Sequence, residues 1–146
     1  MVTHDENSKE SRPPTLDDLL ELCRQLNTRK AKYIVIGGMA IAHHGFVRAT
    51  EDIDLLIETS LKNEAAVIEA LSTLPDSAAR EIKPGEINQY EVIRVADAIV
   101  VDLMKKACGT EYQAASKEIV QVTIQGVTIP FASVDLMIRL KQSVRP

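Results

Sequence analysis

The hydrophobic positions of this chain recur with two different periods, and the longer period identifies the predicted helices. Over residues 15–28, the leucines and one cysteine recur every three or four positions, as they do on the buried face of a helix. Thr15 begins this segment, where its side-chain oxygen can accept a hydrogen bond from the first free backbone N–H groups. The same pattern predicts further helices at residues 39–44, 61–74, 111–116 and 134–141, with Ser133 as the cap of the last one.

Shorter runs that are rich in valine and isoleucine predict the strands. Gln125-Gly126 separates two of these runs and predicts a hairpin turn. Arg94–Asp97 separates another two and predicts a second antiparallel connection. The predicted strands are residues 33–36, 52–58, 87–93, 98–104, 119–124 and 127–131.

The order of these elements predicts the fold class. Helix, strand, helix, strand and helix are followed by several strands, which is typical of an α/β (α+β) fold with a mixed central sheet flanked by helices. The chain has 146 residues, 45% of them hydrophobic and 26% charged, which fits one globular domain with its own core. We expect a flexible N-terminal tail at residues 1–14 and a single domain at residues 15–146.

The composition argues against several classes of protein. No apolar run approaches the roughly 20 residues of a membrane span, and the polar N-terminal segment lacks the apolar region of a signal peptide. We therefore expect a cytoplasmic protein with no membrane partner. Cys23 and Cys108 lack the spacing of a disulfide framework or a zinc site. The net charge of −4 argues against a broad nucleic-acid-binding face.

Two carboxylates two residues apart are the first candidate for chemistry. Side chains alternate between the two faces of a strand, so Asp52 and Asp54 project from one face of the predicted strand at residues 52–58. Like charges at this spacing repel each other unless a cation neutralises them. Hard divalent ions such as Mg²⁺ are bound by carboxylate oxygens together with the phosphates of a substrate. The pair therefore predicts a metal site.

A third carboxylate and a glycine pair extend this candidate site. Asp102 lies inside a largely apolar predicted strand, where an unpaired carboxylate would be costly to bury. Metal ligation explains its position, and an exposed place on an edge strand is the alternative. Gly37-Gly38 lies between a predicted strand and a predicted helix, where backbone without Cβ atoms can approach a phosphate closely.

These residues together resemble a known superfamily. Gly37-Gly38, a spacer of thirteen residues, Asp52-Ile-Asp54 and the later Asp102 resemble the DNA polymerase beta-like nucleotidyltransferases. The segment from Gly37 to Gly45, with Arg48, Thr50 and the apolar residues after Asp54, is most similar to small bacterial nucleotidyltransferases related to abortive-infection toxin proteins.

The resemblance implies a nucleotidyltransferase fold with a twisted central sheet, and it implies an enzyme activity. The expected reaction transfers a nucleoside monophosphate from an NTP such as ATP to a hydroxyl acceptor and releases pyrophosphate. It would use two Mg²⁺ ions, with Mn²⁺ as an alternative. The acceptor is open among a protein, an RNA end and a small molecule, and a toxin or antitoxin protein is a candidate partner. The resemblance implies that Asp52, Asp54 and Asp102 are catalytic residues and metal ligands, and that Gly37, Gly38, Arg48 and Thr50 bind the nucleotide.

Two alternative functions also use parts of this pattern. The haloacid dehalogenase-like phosphatases have an Asp-x-Asp motif, but Leu56 stands here where a threonine or valine usually follows in that class. The second alternative is a non-catalytic interaction module that acts as the toxin or antitoxin half of a bacterial defence pair. The retained carboxylates and glycines argue against a loss of activity. Relatives of this type continue beyond the last predicted helix, so we expect a minimal or C-terminally truncated domain.

Overall fold

A mixed sheet of seven strands forms the centre of the structure. The structure is a computed structural model and describes residues 2–4, 11–43 and 51–142. The strand order across the sheet is β1-β4-β5-β3-β2-β9-β8, and β6 and β7 form a separate two-stranded sheet. The strands are β1 Val2–His4, β2 Tyr33–Ile36, β3 Ile53–Ile57, β4 Val92–Ala96, β5 Val100–Met104, β6 Lys106–Ala107, β7 Thr110–Glu111, β8 Ile119–Ile124 and β9 Val127–Ala132.

The sheet combines parallel and antiparallel pairs, as the sequence predicts. The pairs β1–β4, β3–β5 and β2–β9 are parallel. The pairs β4–β5, β2–β3 and β8–β9 are antiparallel. Such a sheet differs from the all-parallel, doubly wound arrangement, in which helices cover both faces through crossover connections.

Helices pack on this sheet and bury two hydrophobic clusters. Ile53, Leu55 and Ile57 of β3 join the larger cluster, together with leucines of α1 and α3. Leu56 points to the opposite face and joins the smaller cluster, which also includes residues of α5 and α6. The helices are α1 Leu16–Thr28, α2 Gly37–His43, α3 Leu61–Leu71, α4 Glu86–Tyr90, α5 Tyr112–Ala115 and α6 Val134–Gln142, and short 3₁₀ turns lie at Ala78–Glu81 and Ser116–Glu118.

Several of the local predictions at the ends of elements are confirmed. Thr15 caps α1 in a capping box with Asp18. The Ser133 hydroxyl accepts a hydrogen bond from the backbone N–H of Leu136 at 3.1 Å, at the start of α6. Gln125 and Gly126 have φ angles of 50° and 79° in the β8–β9 turn, which is the geometry of a tight type I′ hairpin.

The predicted strand at residues 87–93 is wrong over most of its length. The segment Glu86–Tyr90 is the helix α4, and β4 begins only at Val92. The reason is a long-range contact, because the buried Glu64 of α3 accepts hydrogen bonds from three backbone N–H groups of Gly85, Ile87 and Asn88, at 2.8–3.1 Å. This carboxylate caps the helix from another part of the chain.

The described parts of residues 1–14, which the sequence predicts to be a flexible tail, make contacts with the rest of the chain. Val2–His4 pair with β4 as a parallel strand at one edge of the sheet. The backbone N–H of Arg12 donates to the carbonyl of Ala98 at 2.9 Å, and the Ser11 hydroxyl donates to the Asp97 carbonyl at 2.6 Å. These hydrogen bonds connect the described part of the segment to β4 and to the turn that follows it.

The helices in the described ranges are short. None of them combines the length and the apolar character that crossing a membrane would require.

Candidate metal centre

Three carboxylates meet on one face of the sheet, where β3 and β5 lie side by side. Asp54 of β3 and Asp102 of β5 are direct neighbours in the parallel pairing, and Asp52 immediately precedes β3. The alternation of side chains places all three on the face of the smaller hydrophobic cluster, which includes Leu56. One oxygen from each carboxylate lies within 4.8 Å of the other two. The structure therefore brings together the three aspartates that the sequence singles out.

The three carboxylates differ in their exposure to solvent. Asp102 is buried, with 8% of its side chain exposed, whereas 28% of the Asp52 side chain is exposed. Asp54 is intermediate. One edge of the group is therefore open to solvent, and a ligand can reach it from that side.

The three carboxylates carry more negative charge than Arg94, their cationic partner among the described residues, neutralises. The pKa of Asp54 is raised from 3.8 to about 7, first by burial and then by the negative charges of Asp52 and Asp102 and a hydrogen bond with Asp102. The positive charge of Arg94 acts against this rise. A carboxyl group with such a pKa holds a proton near neutral pH unless another cation replaces it.

The donor set fits a hard divalent cation. Three carboxylate oxygens within reach of one point suit Mg²⁺ or Mn²⁺, which prefer oxygen ligands. Burial and the neighbouring negative charges raise the pKa of Asp54, and a bound cation would favour its ionised form. The cluster could therefore bind a metal ion.

Arg94 is the residue of the site that the sequence analysis missed. Its Nε and Nη2 atoms donate to the two oxygens of Asp102 at 2.9 and 3.0 Å, and Nη2 also donates to Asp52 at 3.2 Å. The sequence places Arg94 in the predicted connection that ends at Asp97, but in the structure it lies inside β4, directly across from Asp102. Only the true position of the turn, after Ala96, shows that the two residues face each other.

Gly37 contacts the site from the end of β2. Its φ angle is +71°, and a Cβ atom built on it would lie 2.2 Å from the Oδ2 atom of Asp54. Glycine is needed here both for the backbone conformation and for the space that the carboxylate fills. Gly38 follows in α2 and is half-buried. The phosphate contact that we expect of this glycine pair stays a prediction.

The other predicted nucleotide-binding residues are Arg48 and Thr50. Arg48 and Thr50 fall outside the described residues, so their predicted role stays a prediction.

Two further buried carboxylates, Glu64 and Asp97, have structural roles. Glu64 caps α4 as described above. Asp97 accepts hydrogen bonds from the backbone N–H groups of Asp76, Ala78 and Ala98 at 2.7–2.9 Å. Each of these carboxylates accepts from backbone N–H groups, most of them about twenty positions away along the chain, in contrast to the three aspartates that face one another.

Comparisons with known proteins bear on the fold. No protein-family model matches the chain, and no curated protein does. Among solved structures, the chain is similar to a "putative nucleotidyltransferase" from Thermotoga maritima, with a TM-score of 0.57 and 16% identity. The similarity covers 88% of this chain and 83% of that one. At this identity the comparison concerns architecture alone. The chain has a nucleotidyltransferase fold, with a mixed central sheet flanked by helices.

Proposed function

We propose that this protein is a divalent-metal-dependent nucleotidyltransferase that moves a nucleoside monophosphate from an NTP to a hydroxyl acceptor. The observation that carries the proposal is the meeting of Asp52, Asp54 and Asp102 on one face of a sheet with the nucleotidyltransferase fold. The fold alone, without the three carboxylates, would not indicate which reaction the protein catalyses. The carboxylates without the fold would fit several kinds of metal site.

In the proposed reaction, the oxygen of the acceptor hydroxyl attacks the α-phosphorus of the NTP. A new oxygen–phosphorus bond forms, the bond between the α-phosphorus and the bridging oxygen breaks, and pyrophosphate leaves. The hydroxyl proton passes to water. Divalent ions bound to the cluster would neutralise the charge that develops on the attacking and leaving oxygens.

The side chains of this protein have separate tasks in the proposal. Asp54 of β3 and Asp52, which immediately precedes that strand, would offer their carboxylate oxygens to a metal at the solvent-open side of the site. Asp102 comes from the neighbouring strand β5 and would offer a buried carboxylate on the other side of the site. Gly37 leaves the space that the Asp54 carboxylate occupies, and this contact keeps the β2–α2 turn beside the cluster. A nucleotide bound at this turn would therefore have its phosphates next to the carboxylates.

The mixed sheet also bears on the phosphatase alternative. Asp54 lies on a strand that is antiparallel to β2 and parallel to β5. The haloacid dehalogenase-like arrangement needs a doubly wound parallel sheet with the nucleophilic aspartate at the end of its first strand. The pairing of β3 disfavours that chemistry here.

The direct test follows an α-phosphate label from each of the four NTPs. The wild-type protein is incubated with Mg²⁺ or Mn²⁺, with and without bacterial lysate, beside a variant that carries Asp52→Ala and Asp54→Ala. The exposed Asp76 provides a matched control as Asp76→Asn. We expect the wild type and the control to transfer label and the double variant to lose transfer by at least about 10²-fold.

The results separate the candidate functions. Label that moves with protein, RNA or a small molecule from the lysate identifies the acceptor class, including a toxin or antitoxin partner. Transfer that persists in the double variant would contradict the proposed site. A folded wild-type protein that binds none of the NTPs with either metal would favour the interaction module.

A further inference from the structure

Arg94 has a position that the proposed reaction does not by itself require. It lies on β4 directly across from Asp102 of β5, in the antiparallel pairing of the two strands. Its guanidinium group makes two parallel hydrogen bonds to Asp102, at 2.9 and 3.0 Å. A paired geometry of this kind is specific to arginine, because lysine offers a single point of contact.

The same guanidinium also reaches a second ligand candidate. Nη2 donates to Asp52 at 3.2 Å, so one cation bridges two of the three carboxylates of the cluster. About a third of the Arg94 side chain is exposed, whereas its partner Asp102 is buried. The contact therefore holds the buried carboxylate from the solvent side.

The charge of Arg94 changes what the cluster can bind. Among the described residues of the cluster, three ionised carboxylates and one guanidinium leave two net negative charges, which a single divalent ion neutralises. A second divalent ion would then make the site positive, unless a ligand brings negative charge with it. A triphosphate brings this charge.

Building on the proposed function, we propose that Arg94 is a positioning residue that orients Asp102 and lowers the affinity of the site for free Mg²⁺. Both oxygens of Asp102 accept from Arg94, so a metal must use their remaining lone pairs in the orientation that the guanidinium sets. In this arrangement the site binds free metal weakly, and metal is retained with the triphosphate.

The size of the effect follows from the distances. A hydrogen bond of about 3 Å and a metal–oxygen bond of about 2 Å place the guanidinium about 5 Å from a bound ion. Even with the screening of water, a unit charge at about this distance changes the binding constant of a dication about tenfold.

The test measures Mg²⁺ binding by calorimetry, with the metal-free protein and without nucleotide. We expect Arg94→Met to bind free Mg²⁺ about tenfold more tightly than the wild type. Arg94→Lys keeps the charge, so its affinity for free Mg²⁺ should stay within about threefold of the wild-type value. A parallel titration measures Mg²⁺ binding in the presence of an NTP analogue with a non-cleavable α–β bridge, and the wild type should bind Mg²⁺ more tightly with this analogue than without it.

Two further variants keep the test decisive. Arg80→Met removes an exposed arginine elsewhere on the surface and should leave both affinities unchanged. If Arg94→Met does not fold, Arg94→Gln takes its place, because glutamine removes the charge but keeps an N–H donor for Asp102. We expect Arg94→Gln to bind free Mg²⁺ about tenfold more tightly than the wild type.

The outcomes separate the two proposals. The proposed role of Arg94 is overturned if a folded variant without the charge binds free Mg²⁺ no more tightly than the wild type. It is also overturned if Arg94→Lys binds free Mg²⁺ as tightly as Arg94→Met does. In both cases, the proposed function is still supported if the wild-type protein binds Mg²⁺ in the presence of the NTP analogue. A wild type that binds neither metal nor metal with analogue overturns both proposals.

Discussion

Replacing Asp54 by asparagine tests the electrostatics of the carboxylate cluster without changing its shape. Asparagine has nearly the same volume and can still donate a hydrogen bond to Asp102, but it carries no charge. In the metal-free protein, we expect Asp54→Asn to increase the free energy of unfolding at pH 8, although it removes a residue of the proposed active site.

The magnitude follows from the pKa of Asp54. The value rises from 3.8 to about 7 in the folded protein, and each unit corresponds to about 1.4 kcal/mol. Ionising Asp54 in the folded, metal-free protein therefore costs up to about 4 kcal/mol, and we expect roughly half of this to appear as a gain in stability of the variant.

The sign of the pH dependence is also defined. The folded protein holds the Asp54 proton more tightly than the unfolded chain does. The stability from this proton is therefore fully present below pH 3.8 and is lost as the pH rises through about 7. The difference between variant and wild type should be near zero at pH 4 and should grow to its full size by pH 8.

Urea unfolding in the presence of a chelator, at several pH values from 4 to 8, measures this difference. Asp76→Asn provides the control, because its carboxylate is exposed and lies outside the cluster. The reasoning is refuted if Asp54→Asn is less stable than the wild type at pH 8, or if the difference between them does not change with pH. Added Mg²⁺ should stabilise the wild type and leave Asp54→Asn almost unaffected.

Three further predictions concern the residues around the cluster. Gly37→Ala places a Cβ atom 2.2 Å from the Asp54 carboxylate and should cost about 2–4 kcal/mol in urea unfolding. Gly126→Ala, with a similar φ angle and open space around it, should cost only about 1 kcal/mol, and equal costs would contradict the role of the contact. The affinity for Mg²⁺, measured by calorimetry, should rise with pH up to about pH 7, because the ion displaces the Asp54 proton; an affinity independent of pH would exclude this displacement. Glu64→Gln should lower stability by about 2–3 kcal/mol, since an amide cannot accept all three backbone N–H groups, and a changed Mg²⁺ affinity would argue against its purely structural role.

Much of the local structure follows from short-range chemistry that is visible in the sequence. Thr15 caps α1 because its hydroxyl lies beside the first free N–H groups of the helix. Gln125-Gly126 form a tight turn between two β-rich runs. Asp52 and Asp54 share a face because side chains of a strand alternate. None of these features depends on distant parts of the chain.

The predictions from the sequence are wrong where a distant residue decides the local conformation. The apolar run that ends at Ile93 has the composition of a strand, yet its first part is the helix α4, because Glu64 caps that helix from α3. Arg94 is misplaced in a connection for a related reason. The turn after Ala96 is stabilised by the Asp97 carboxylate, whose backbone partners include residues about twenty positions earlier in the chain.

The sequence by itself determined the kinds of elements, most of their order, and the face on which the pair Asp52 and Asp54 lies, because these depend on periodicity and neighbouring residues. Only the tertiary structure decided that β5 pairs with β3, which places Asp102 beside Asp54, and that β4 places Arg94 across from Asp102. Strand pairing joins segments that are far apart along the chain, and its register depends on how all the strands pack together. The sequence therefore identified the three carboxylates, and the tertiary structure decided their distances, their shared charge and the arginine that bridges two of them.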